Sequence, residues 1–197
     1  MTDLVWYAAY GSNLERSRFL RYLQGDDTHV GARDRTPPRD SGCDRVDHAL
    51  GFGHLSRRWG GGVAYLDADP GSGQTLVRLW LVTVDQFADV WAQENRSTPG
   101  EVVVELDQTG ISSGGADLSA APYGRLLRWA DRGGVPVVGF TSTVPPGPNR
   151  PSAAYLAAMA RGLADGHGLA PEGIAAYLRT CRCGWSSADL LGLAASA

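Results

Sequence analysis

The chain reads as an α+β protein, a curled mixed sheet or small β-barrel with flanking helices. Three observations lead there. Five or six short apolar runs are separated by turn-forming residues, with no regular strand–helix–strand alternation. The 26 glycines and 11 prolines among 197 residues call for many turns and irregular connections. The last third switches to helical spacing. The length suits one domain over residues 1–197, with an additional helical segment from about 184.

Taken in order, Leu4–Ala9 is apolar and aromatic throughout, as in a buried strand. A turn at Gly11-Ser12-Asn13 then opens a helix carrying Leu14, Phe19, Leu20 and Leu23, which stops at Gly25. Asp26–Arg45 is polar, contains Pro37-Pro38, and is expected to be a long surface loop. Short strands are expected at Ala49–Leu55, Val63–Leu66, Thr75–Val84, Val102–Leu106 and Val135–Phe140. Asp85 is positioned to cap a short helix bearing Phe87, Val90 and Trp91. Near the C-terminus, Ser152 is a candidate cap for a helix whose face carries Tyr155, Leu156, Met159 and Leu163. A helix from Pro171 to Thr180 and an apolar segment over Ala188–Ala195 complete the chain.

Composition narrows the chemistry. The net charge is -3, and all 18 basic residues are arginines scattered along the chain, so no nucleic-acid partner is expected. Without lysine there is neither a Schiff-base nor a P-loop lysine. Cys43, Cys181 and Cys183 are too few for a disulfide scaffold, and Cys181-Arg182-Cys183 lacks metal-ligand spacing, so no metal is expected. His29, His48, His54 and His167 show no triad or metal pattern. With no signal-like N-terminus and no membrane-length apolar run, a cytoplasmic protein is expected.

The most informative segment is Tyr10-Gly11-Ser12-Asn13-Leu14. A turn between a strand and a helix exposes main-chain N–H groups at the positive end of the helix dipole, a receptor for a carboxylate or oxyanion. Gly11 permits close approach of a ligand, and Ser12 or Asn13 is suited to cap the helix. The same residues also make an ordinary capped turn. The glycines do not follow G-x-G-x-x-G, so no dinucleotide is indicated.

Read with its preceding strand, Trp6-Tyr7-Ala8-Ala9-Tyr10-Gly11-Ser12-Asn13-Leu14 resembles the N-terminal hallmark of the γ-glutamylcyclotransferase-like proteins. Further segments are similar to that family in the same order: Trp59–Ala64, Val77–Glu94, and Pro151–Tyr155 with Gly162. The resemblance leaves out about residues 26–48, 107–134 and 184–197. It implies a small barrel with flanking helices and conversion of a γ-glutamyl amide to 5-oxoproline and a free amine, with no cofactor. It also implies substrate binding by Tyr10, Gly11, Ser12, Asn13, Leu14 and Tyr155, with Glu94 as catalytic acid/base. Tyr155 reads equally as a core aromatic. Tyrosines that line the family's site after the glutamate are not evident here; Phe140 stands near where one is expected.

The five glutamates differ in setting. Glu15 and Glu172 fall in first turns of expected helices, where acids complement the dipole, and Glu101 and Glu105 flank an expected strand. Glu94 ends a helix, an unfavourable site for an anion; it is either a solvated carboxylate or one held there for a purpose. The implied chemistry needs one carboxylate, because the substrate's own α-amine is the nucleophile. That group removes a proton from the amine and returns one to the leaving nitrogen, with its pKa raised toward neutral by desolvation. The alternative is a non-catalytic module that binds an anionic small molecule at the turn.

Overall fold

In the computed structural model, residues 4–104, 116–117 and 122–197 are described. The strands are β1 (Leu4–Ala9), β2 (Asp40–Val46), β3 (Leu50–Ser56), β4 (Gly61–Leu66), β5 (Thr75–Thr83), β6 (Ala116–Asp117), β7 (Arg125–Arg132) and β8 (Val135–Thr141). The helices are α1 (Arg16–Gln24), α2 (Val84–Glu94), α3 (Ala153–His167), α4 (Pro171–Thr180) and α5 (Ser187–Ala195). Six strands form a curled mixed sheet in the order β2-β5-β1-β8-β7-β6, and β3 pairs with β4. Of the two architectures expected, the sheet is the one observed; among the described residues it does not close into a barrel.

Two compact units share the chain: Met1–Ala9, Phe19–Gly42 and Leu79–Thr143 make the first, and Tyr10–Arg18, Cys43–Arg78 and Val144–Ala197 the second. In the first, β1 runs parallel to β8 with Trp6 opposite Val137, and β7 and β8 form an antiparallel hairpin. Gly133 and Gly134 join that hairpin with φ of 61° and 77°, the left-handed pair that a tight two-residue turn demands. Alternate residues of β1 (Val5, Tyr7 and Ala9) enter a core with Phe19, Trp80, Phe87, Val90, Trp91 and Phe140. Tyr7 stacks on Phe140 at 5.3 Å and Phe19 on Trp80 at 4.9 Å.

In the second unit, the β3–β4 hairpin pairs Leu50 with Leu66 and shifts register between Gly53 and Ser56, where His54 takes a φ of 56°. The face of α3 expected to be apolar is buried at Tyr155, Leu156, Met159 and Leu163. Ser152 caps that helix by accepting from the Tyr155 N–H, and Pro171 opens α4.

Several local expectations are corrected. Helix α2 begins one residue before Asp85; Thr83 caps it, in a reciprocal box with Gln86. The stretch expected as a surface loop contains β2, and Ala32 is buried with its N–H bonded to the Leu23 carbonyl. Strand β2 escaped notice because its side chains are mostly exposed, leaving no apolar alternation. Val102–Val104 forms no strand; Val104 is buried in irregular chain while Val103 is exposed, and Glu105–Leu106 lies outside the described residues. Strand β7 was not anticipated.

Candidate active site

The turn after β1 is tighter than expected. Ser12–Leu14 is one turn of 3-10 helix, Glu15 is extended, and α1 starts only at Arg16. Neither Ser12 nor Asn13 caps a helix: the Leu14 N–H bonds the Gly11 carbonyl and the Glu15 N–H the Ser12 carbonyl. Tyr10, Ser12, Asn13 and Leu14 are all buried. Glu15 therefore precedes α1 and does not stand in its first turn.

Helix α3 supports this turn from within the same unit. A Cβ on Gly162 would lie 2.4 Å from the Leu14 carbonyl carbon, so only glycine allows the helix backbone to rest on the turn. One residue earlier, Arg161 donates from Nε and Nη2 to the two Glu15 carboxylate oxygens at 3.0 and 3.1 Å. Burial raises the Glu15 pKa, but the bonds from Arg161 and Ser17 outweigh it and leave the carboxyl below its usual value.

Tyr155, on the first turn of α3, is 4% exposed and its hydroxyl accepts the Ala64 N–H at 3.0 Å. A Cβ on Gly11 would approach that hydroxyl to 2.5 Å, so glycine is what lets the turn and the tyrosine meet. Trp59 meets the Tyr155 ring edge-on at 5.1 Å, and the buried Arg18 guanidinium lies 4.8 Å over Trp59. Gly61 and Gly62 have the same steric role: a Cβ on Gly62 would fall 2.0 Å from the Asn149 carbonyl oxygen. Gly61 and Gly62 thus seat β4 against the segment that caps α3.

Glu94 belongs to the first unit, whereas the turn and Tyr155 belong to the second. It is the last residue of α2 and is half-buried. Phe87, Val90, Trp91 and Glu94 follow i, i+3, i+4, i+7 spacing, so the carboxylate continues the helix face that is buried in the aromatic core. The opposite stripe of α2 is polar and bonded. Asp89, fully buried, accepts from the Arg33 main-chain N–H, Arg33 Nε and the Gly100 N–H. Gln93 donates to the Tyr22 carbonyl.

Sequence reasoning missed the residues at the end of α2. The Asn95 side chain pairs with the main chain of Tyr123, whose ring packs edge-on against Phe140 at 5.8 Å. Tyr123 lies where no element had been assigned. Among the described residues no three His, Cys, Asp or Glu side chains gather as a metal site would require, and no helix is long and apolar enough to cross a membrane.

No family model matches the chain. Over 198 residues it is 32% identical to histone deacetylase 5 of Arabidopsis thaliana, a match that takes in 88% of this chain but only 30% of that protein. Solved structures align over most of its length. An uncharacterised human protein aligns with a TM-score of 0.51 and 16% identity over 83% of this chain and 80% of its own. YkqA of Bacillus subtilis aligns at 0.50 and 17% over 91% of this chain and 54% of its own. A γ-glutamyl cyclotransferase aligns at 0.56 and 17% identity, covering 99% of this chain and all of that one. With its curled mixed sheet, flanking helices and end-to-end alignment, this chain has the γ-glutamyl cyclotransferase fold.

Proposed function

We propose that the protein is a cyclotransferase that converts a γ-glutamyl amide to 5-oxoproline and a free amine, with Glu94 as general acid/base. The observation that carries this reading is a half-buried carboxylate on the apolar face of α2, in a chain with the fold of a γ-glutamyl cyclotransferase. The α-amine of the substrate attacks its own γ-carbonyl carbon, forming the ring C–N bond as the amide C–N bond breaks. Glu94 takes a proton from the attacking amine and delivers one to the leaving nitrogen. Main-chain donors of the Tyr10–Leu14 turn, apart from the Leu14 N–H that bonds the Gly11 carbonyl, hold the glutamyl group and the developing oxyanion. Folding the substrate toward its ring supplies proximity, which removes much of an intramolecular barrier. On this reading Tyr155 also takes part in binding the substrate, and its hydroxyl accepts the Ala64 N–H.

On this reading the partner is a small γ-glutamyl compound, no cofactor takes part, and the chain works in the cytoplasm as one catalytic domain. The test is 5-oxoproline release from a panel of γ-glutamyl amides by wild type and Glu94→Gln. Release by wild type with a loss of about 10²-fold or more in the variant is expected. Undiminished release by Glu94→Gln moves the chemistry to another residue. Absence of turnover together with binding of glutamate derivatives refutes catalysis in favour of a binding module.

A further inference from the structure

The geometry points to Asn95 as a positioning residue that fixes Glu94 by clamping the end of α2 to the main chain of Tyr123; this rests on the proposed role of Glu94. Two independent features converge there. The first is the helix ending itself. The Ser97 N–H bonds the Ala92 carbonyl at 2.8 Å and the Arg96 N–H the Gln93 carbonyl at 3.1 Å, the two bonds of a Schellman ending. Such an ending requires a left-handed residue, and Arg96 supplies it with φ of 62° where glycine is the usual choice. The ending is therefore kept despite local backbone strain, immediately after Glu94.

The second feature is the side chain of Asn95. Its Oδ1 accepts the Tyr123 N–H at 2.9 Å, and its Nδ2 donates to the Tyr123 carbonyl at 3.3 Å and the Trp91 carbonyl at 3.2 Å. A single amide thus reads both main-chain groups of Tyr123, as a neighbouring strand does, and also bonds one of the helix's terminal carbonyls. Trp91 Nε1 donates to the same Tyr123 carbonyl at 2.5 Å. Only asparagine has this donor–acceptor pair on so short a stem; aspartate keeps the acceptor and loses both donations. Strand β7 starts two residues after Tyr123, and the Tyr123 ring lies on Phe140. Asn95 therefore joins the residue after Glu94 to the sheet and aromatic core of its own unit. A general base must be held to a fraction of an ångström, and a misplacement of about 1 Å costs on the order of 10²-fold.

The experiment compares wild type, Asn95→Ala and Asn95→Asp for kcat and KM on a γ-glutamyl amide, and for hydrogen exchange at the Tyr123 amide. In Asn95→Ala, kcat is expected to fall about 10- to 100-fold with KM within about threefold, and the Tyr123 amide to lose protection. Asn95→Asp keeps the Oδ1 acceptor, so the Tyr123 amide stays protected and serves as the check if the alanine variant does not fold. An Asn95→Ala enzyme with full kcat overturns the inference, as does a loss carried wholly by KM. Inactivity of wild type instead sinks the proposed function, so the two failures are distinct.

Discussion

Replacing Gly11 by alanine tests how the turn is seated. The added Cβ would lie 2.5 Å from the Tyr155 hydroxyl oxygen, and its next neighbours are Ala64 Cβ at 3.4 Å and Tyr155 Cζ at 3.7 Å. Those two are ordinary contacts, so the collision is with one atom. Overpacking of this kind costs about 1–3 kcal/mol. Tyr155→Phe alone removes the acceptor of the buried Ala64 N–H, a loss of about 1–3 kcal/mol. If the two effects were independent, the double variant would lose their sum. Because the phenylalanine removes the atom that the Cβ strikes, Gly11→Ala/Tyr155→Phe should be about as stable as Tyr155→Phe. The coupling energy should then nearly equal the cost of Gly11→Ala. Urea unfolding of all four proteins, with unchanged m-values, measures it. Additivity within about 0.5 kcal/mol would refute the reasoning, because the hydroxyl would then not be what requires glycine.

Two further predictions accompany those for Glu94 and Asn95. Asp89→Asn replaces a buried acceptor of three donors by a group that turns an N–H toward one of them. It should destabilise by about 2–3 kcal/mol, toward the lower end because the Arg33 side chain is 53% exposed and regains water; chemical denaturation that shows no change would remove Asp89 as a brace. Burial pushes the Cys181 thiol up to about 11 from 9.0, and burial likewise raises the Tyr177 hydroxyl well above 10.0. Both groups are held neutral in the fold, so their contribution is complete below pH 9 and is lost as pH rises toward 11 and beyond. For Cys181 it is on the order of 2–3 kcal/mol. Unfolding midpoints between pH 8 and 11 should fall less steeply in Cys181→Ala than in wild type; parallel curves would exclude the thiol.

Where the local signal and the fold agree, the cause is local. Leu4–Ala9 is apolar at every position because β1 is buried on both faces, and Ser152 and Pro171 are read correctly because a cap acts within one helical turn. The hairpin between β7 and β8 also had its local signal in Gly133-Gly134, but charged residues in Arg125–Arg132 hid the strand before it. Strand β2 had no signal, because a strand with exposed side chains is defined by its neighbours' main-chain groups.

The glycines show the division most clearly. From the sequence, Gly11, Gly61, Gly62 and Gly162 are only turn-formers or weak helix residues; the reason each must lack a side chain is a partner distant in sequence, at Tyr155, Arg150–Ser152, Asn149 and Leu14. The same holds for the polar clamps. Asp89 meets Arg33 across 56 residues, Asn95 meets Tyr123 across 28, and Tyr155 meets Ala64 across 91. By itself the sequence determined the fold class and the order of most elements, because periodicity, caps and turn chemistry act over a few residues; the turn and the glutamate proposed for the chemistry were singled out by a family resemblance. Only the tertiary structure decided what holds them in place, because hydrogen bonds and steric contacts between remote segments leave no periodic trace along the chain.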